Sequence, residues 1–216
     1  ESWVLVTLAR ENGRLKGFSF STLERIGGTP SVIVGLASIK RTAKRETVLR
    51  AIVHDQLRRA VLAFPDEDVL VGTRFATVSG YEAFRTLQEI VPRPDYAATG
   101  EERAWGRRLA KRFGIGSSRY DERTFVVRGD DSYPEVLDHE TLKPEKLHPG
   151  YVEFFEVIDP DRGDALIAFG WAMASQGALW LLGTVQVLRY RGRSRREFRA
   201  RDAEAYERFR HGDLSV

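Results

Sequence analysis

The alternation of apolar and polar positions opens the chain as a meander of strands. Residues 3–9 alternate well enough for a strand, and Asn12-Gly13 marks a tight hairpin after it. Residues 15–26 return as a second strand carrying Gly17, Phe18 and Phe20, and Gly27-Gly28-Thr29-Pro30 forms the next turn. Residues 31–39, rich in β-branched side chains, read as a third strand. The period then changes. Val48, Ala51, Ile52, Leu57, Val61 and Leu62 have helical spacing over residues 47–64, with Thr47 as N-cap and Glu46 placed where the helix dipole favours an anion. Residues 69–72 read as a returning strand, and residues 78–90, with Tyr81, Phe84 and Leu87, as a second helix. The first ninety or so residues therefore spell β-β-β-α-β-α.

After Ile90 the text changes character. Val91-Pro92-Arg93-Pro94 opposes helix and marks a boundary, which divides the chain into 1–92 and 93–216. Residues 100–113 form a charged helix with Ala104, Trp105, Leu109 and Phe113 on its apolar side, closed by a two-glycine loop at 114–118. Residues 124–128 read as a short strand. Residues 151–157, with Phe154 and Phe155, fit either a helical or a strand-like piece. The acidic turn at 159–164 lacks the alternating donors and closing glutamate of a calcium loop, and it reads as a helix start with Asp164 near the N-cap. Residues 165–188 hold no charge at all, and arginines follow at once. Three readings of that run stand: a buried helix or helical pair, a peripheral membrane segment, or a span interrupted by Gly170, Gly177 and Gly183. A polar helix over 189–210 closes the chain. The fold class expected is α+β, with a mixed sheet in the first part and a mostly helical C-terminal half packed on it.

Composition narrows the function. A chain of 216 residues with 42% hydrophobic and 30% charged residues is globular. It contains no cysteine, which excludes disulfides, thiolate metal sites and a cysteine nucleophile, and suits a cytoplasmic setting. No basic and apolar leader opens the sequence. The formal charge is only +3, so a nucleic-acid partner is disfavoured. Arg189, Arg191, Arg193, Arg195, Arg196, Arg199 and Arg201 nevertheless crowd together, and residues 165–201 are the expected contact with an anionic membrane surface; the competing reading is a solvated helix with pairs such as Glu204 and Arg208. His54, His139, His148 and His211 share no ligand spacing, so no metal is expected. There is no Gly-x-Ser-x-Gly elbow and no Walker loop. What remains is the strand, basic loop and helix over 31–64. Its loop holds four cations between residues 40 and 46, and with the amides that open the helix it suits a phosphate-bearing ligand; an ordinary crossover with a solvated loop is the alternative.

The run Gly35-Leu36-Ala37-Ser38-Ile39-Lys40-Arg41, the helix after it, Val69-Leu70-Val71-Gly72-Thr73-Arg74 and the helix bearing Tyr81 together resemble the central part of the GNAT acyltransferase superfamily, over residues 3–90. The resemblance implies that Leu36, Ala37, Ser38 and Ile39 line the pantetheine arm of acetyl-CoA or another acyl-CoA. It implies that Arg41, Thr42, Ala43, Lys44, Arg45, Glu46 and Thr47 hold the pyrophosphate, and that Tyr81 is the acid that protonates the leaving thiolate. Glu24, on the second strand, is by position the candidate base for an amine acceptor. The chain departs from the family at two points. Lys44 and Glu46 stand where the family loop carries small residues, and the family's first strand and two helices do not precede Trp3. Two functions follow: an acyl-CoA-dependent N-acyltransferase acting on a small-molecule or protein amine, or a catalytically inactive GNAT-like binding module at a membrane or another protein. The sequence specifies no oligomeric state.

Overall fold

A computed structural model describes residues 4–40, 42, 45–84, 87–129, 147–159 and 161–172. Its first strands follow from two hairpins. β1 (Val4–Glu11) turns through Asn12 and Gly13, both at positive φ, into β2 (Arg14–Ile26). Gly27 and Gly28, also at positive φ, turn β2 into β3 (Thr29–Ile39). Such turns need left-handed backbone, which Asn and Gly adopt at least cost. α1 (Arg45–Ala63) then crosses over to β4 (Val69–Phe75), which lies parallel to β3. α2 (Val78–Phe84) and β5 (Gln88–Val91) follow, and the peptide before Pro92 is cis. α3 (Gly100–Arg112) opens on a capping box between Thr99 and Glu102. A 3₁₀ turn (Ser117–Arg119), the short strands β6 (Tyr120–Asp121) and β7 (Val126–Val127), α4 (Pro149–Phe154) and β8 (Ala165–Ala172) complete the described elements.

The strands form one mixed sheet in the order β1-β2-β3-β4-β8-β7-β6. β5 joins β8 on the edge it shares with β7. The architecture is therefore α+β with a mostly antiparallel sheet. β8 sits between β4 and β7, so the sheet runs straight across the expected boundary at residue 92. Side chains assign the helices to faces. Gln56 of α1 donates to Ser19, and Tyr81 of α2 packs on Phe75, so α1 and α2 cover one face. A Cβ on Gly72 would meet Leu109 of α3, and Arg112 of α3 binds Glu24, so α3 covers the other. The core lies on both sides of β3, β4 and β8, where Val32, Leu70, Val71, Leu166 and Phe169 are buried.

Three expectations change, and one open reading narrows. α1 starts at Arg45, so Glu46 and Thr47 lie within its first turn and Thr47 is not the N-cap. The helix expected over 78–90 ends at Phe84, and the chain re-enters the sheet as β5. Of the two readings of residues 151–157 the helical one holds as far as Phe154, the end of α4, and a turn follows over 155–157. Asp164 caps no helix: it precedes β8, a strand buried along nearly its whole length. The first third of the charge-free run is thus sheet core, and no helix among the described residues is long and apolar enough to cross a membrane. Residues 173–188 and the arginine-rich tail lie outside the described residues.

Candidate functional site

The feature that organises the candidate site is a fork between two parallel strands. β3 and β4 pair only from Ser31↔Leu70 to Val34↔Thr73. Beyond that point β3 continues to Ile39 on β2, while β4 continues to Phe75 on β8. Two local events produce the divergence. Gly35 is the extra residue of a bulge, because Ser21 pairs with Val34 and Phe20 with Leu36. Such a bulge bends its strand and increases its twist. At the crotch, the Thr73 hydroxyl donates to the Val34 carbonyl at 2.9 Å, so a side chain replaces the next rung of the ladder. Burial changes at the same place: residues 30–34 are buried, Gly35 and Leu36 are exposed, and Ala37 to Ile39 are half-buried.

The edge of β3 over Gly35–Ile39 consequently presents backbone groups toward the gap with no strand opposite among the described residues. The Leu36 carbonyl is already satisfied by the Ser19 hydroxyl at 2.8 Å, and that hydroxyl accepts in turn from Gln56 of α1 at 2.9 Å. This relay fixes the bulge against α1. The fork's floor is apolar. Phe20 pairs with Leu36 and with Val6, and Phe18 pairs with Leu8, which brings these side chains to one sheet face. Val6, Leu8, Phe20 and Leu36 are all exposed there, beyond the reach of α3. An uncovered apolar patch beside an open strand edge is the usual signature of a binding surface.

No family model, curated protein or solved structure matches the chain. The site therefore stands on its own geometry.

Leu36, Ala37, Ser38 and Ile39 all lie on the open arm of the fork. Of the loop expected to hold a pyrophosphate, Arg41, Ala43 and Lys44 lie outside the described residues, and Thr42 is half-buried in a bend. Arg45, Glu46 and Thr47 form the first turn of α1, whose opening amides have no intrahelical partner. Val48, in the same part of α1, lies against Gly17 and Ile39 at the tip of the β3 arm.

The two expected catalytic side chains are engaged elsewhere. Tyr81 is fully buried, ringed by Phe75, Tyr151 and Phe155, and its hydroxyl donates to the Pro92 carbonyl at 2.7 Å. Burial, reinforced by Tyr151, pushes its phenol far above the ordinary range. A phenol whose proton is held by a carbonyl in the core is a structural hydrogen bond, and the acid role does not fit it. Glu24 is gripped by Arg112, whose Nε lies 2.8 and 3.0 Å from the two carboxylate oxygens. That bond outweighs partial burial and holds the carboxyl below its usual pKa, with Thr22 adding a second donor. A carboxylate in a bidentate guanidinium pair is a weak base. It also sits at the closed end of the sheet, beside Ser31.

Among the described residues no group of three or more His, Asp or Glu is arranged so that it could hold a metal ion. His54 lies on α1, where burial lowers its pKa. His148 N-caps α4, accepting from the Gly150 amide. His139 and His211 lie outside the described residues. Reading the sequence alone missed Thr73, Ser19 and Gln56. The available signal was a hydroxyl or amide inside otherwise apolar strand and helix faces, where a polar side chain must be satisfied locally.

Proposed function

We propose that the chain is an acyl-CoA-dependent N-acyltransferase of GNAT type, acting on a small-molecule or protein amine. The observation that carries the reading is the fork: a parallel pair held for four residues and then parted, one arm offering free backbone groups and the other staying buried. A narrow arm with amides and carbonyls, such as a pantetheine, matches a free strand edge as an added strand would. The α1 amides at the open end suit the diphosphate of the same ligand. The exposed Phe20 and Leu36 suit an acyl chain and the mercaptoethylamine methylenes. With Tyr81 and Glu24 engaged, rate acceleration rests on holding thioester and amine together, and on a free β3 amide that donates to the developing oxyanion. Water then serves as the proton acceptor.

A second reading is favoured by one specific fact, that both expected catalytic groups are committed to structural partners. The fork would then belong to a catalytically inactive binding module. Calorimetry with CoA and acetyl-CoA, followed by thiol release with a panel of primary amines, separates the two. Binding with a Kd below about 1 mM that is weakened in Arg41→Ala and Arg45→Ala, together with amine-dependent thiol release, is the result expected of the enzyme. Binding without release supports the inactive module. No heat at millimolar CoA overturns both CoA readings.

A further inference from the structure

A second site lies at the other end of the sheet. Between β5, the start of α3 and β8 is an open cavity of about 360 Å³. Its walls are aromatic: Trp105 of α3 and Trp171 of β8 meet edge to face at 6.1 Å over Phe169. Its rim is acidic, with Asp68 from the approach to β4, Glu89 from β5, and Glu101 and Glu102 from the first turn of α3. Three separate chain segments thus bring four carboxylates to one aromatic hollow.

The elements hold these groups there for structural reasons. β5 carries an irregularity between Gln88 and Val91, and Glu89 within it is left-handed and exposed. Glu102 is fixed by the capping box and by the Tyr96 hydroxyl, so it acts as a charged wall. Although partial burial opposes it, the Thr99 amide and the Tyr96 hydroxyl keep its carboxyl below the usual pKa. Glu89 and Glu101 make no hydrogen bond or ion pair within the described residues. Cations nearby offset the rim only in part. Arg108 stacks on Trp105 at 4.5 Å and Arg93 on Tyr96 at 3.5 Å. The half positive charge at the start of α3, about 0.5 of an elementary charge, is small beside the exposed carboxylates of Glu89 and Glu101. An anion is therefore excluded, and a purely apolar ligand would leave the rim unused.

We propose that this cavity binds an organic cation: an ammonium or guanidinium on a short aliphatic stem, with the stem against the Trp171 ring and the charge at Glu89 and Glu101. The Trp171 ring offers an apolar wall to the stem, and the carboxylates attract the charged head. The volume falls at the small end of ligand pockets, which fits an alkylamine or an alkylguanidine. The site is distinct from the fork. Asp68 precedes Thr73 by five strand positions, which is roughly 17 Å along β4. The proposal accordingly does not depend on CoA binding.

The test uses the full chain with n-butylguanidinium and its neutral shape analogue n-butylurea, followed by calorimetry and by tryptophan fluorescence. Saturable binding of butylguanidinium in the millimolar range or tighter is expected, with butylurea inert. Glu89→Gln and Glu101→Gln each weaken binding about threefold, and the double variant about tenfold, as exposed charge pairs do. In the parent protein, raising salt from low to physiological strength weakens binding at least twofold, a readout independent of how the variants fold. The proposal is overturned if butylguanidinium does not saturate at tens of millimolar. It is equally overturned if butylurea binds as well, if the folded double variant binds like the parent, or if salt has no effect.

Discussion

Gly106 sits in the middle of α3 and faces Tyr120 and Phe125. A Cβ built there would lie 2.2 Å from the Tyr120 hydroxyl oxygen and 2.8 and 2.9 Å from two ring carbons of Phe125. Phe125 is fully buried, and the Tyr120 hydroxyl is itself buried without a hydrogen-bond partner. Two effects of opposite sign therefore meet in Gly106→Ala. Helix propensity alone favours alanine by about 0.9 kcal/mol. Overpacking against a ring that cannot retreat costs about 1–3 kcal/mol. With three contacts inside 3.0 Å the upper part of that range applies, and the net result is a loss of about 1–2 kcal/mol. Tyr120→Phe removes the nearest atom and an unsatisfied buried hydroxyl, so by itself it is neutral or stabilising by up to about 1 kcal/mol. In that background the cost of Gly106→Ala falls by about 1 kcal/mol, a coupling that a double-mutant cycle reads directly. Urea unfolding of the four proteins at neutral pH is the assay, with the slopes checked for constancy. A Gly106→Ala protein more stable than its parent would refute the packing argument, because propensity would then have won. Additivity within a few tenths of a kcal/mol would refute the assignment of the clash to Tyr120.

The remaining predictions concern buried polar anchors. Asp164 is buried, accepts from the Gly129 amide at 2.7 Å and from Arg128 at 2.7 Å, and those bonds hold its carboxyl below the usual pKa against the effect of burial. Asp164→Asn turns an amide donor toward one of two donors, and should cost about 2–4 kcal/mol in urea unfolding. Because the folded carboxyl is the more acidic, its contribution is fully present above the unfolded pKa of about 3.9 and is lost as pH falls through the folded value. The variant's stability should therefore be flatter than the parent's below about pH 4, and an equal slope there would sink the assignment. Tyr81→Phe strands the Pro92 carbonyl in the core and should cost about 1–2 kcal/mol, while leaving CoA binding unchanged. Loss of CoA-dependent turnover in a Tyr81→Phe protein of parental stability would restore Tyr81 to an acid role.

The legible parts of this chain are those where one short-range rule decides. Asn12-Gly13 and Gly27-Gly28 require positive φ, and both hairpins form where they stand. The parallel crossover from β3 through α1 to β4 follows from the change of period at residue 47 and its return at residue 69. The misread parts are those where tertiary contact overrides spacing. Tyr81, Phe84 and Leu87 keep helical intervals, yet the helix stops at Phe84, and Gln88 and Val91 are claimed by pairing with β8. β8 itself shows no alternation, since it is buried on both faces and its side chains are apolar for that reason. A charge-free run of that kind cannot be told from a helix by period alone. Asp164 reads as an N-cap from its place in the acidic turn, but the backbone N–H groups it accepts from belong to Gly129 and Asp159 across a loop, and a strand follows it. The fork was legible only in part. Residues 36–39 could be chosen from sequence, whereas the bulge at Gly35 and the Thr73 hydroxyl depend on the register of three strands.

The four rungs joining β3 to β4 have a mechanical meaning. They form the seam between two leaves, one built of β1, β2 and β3 and the other of β4, β8 and their neighbours. The pairs Arg112–Glu24 and Arg25–Glu67 clasp the leaves at the end where the seam is closed. The leaves thus behave like the jaws of a clothes-peg, with its spring at the clasped end. Any occupant wedged between the free tips is resisted at Val34 and Thr73, and the angle between the tips is set by how far that last hydroxyl bond yields.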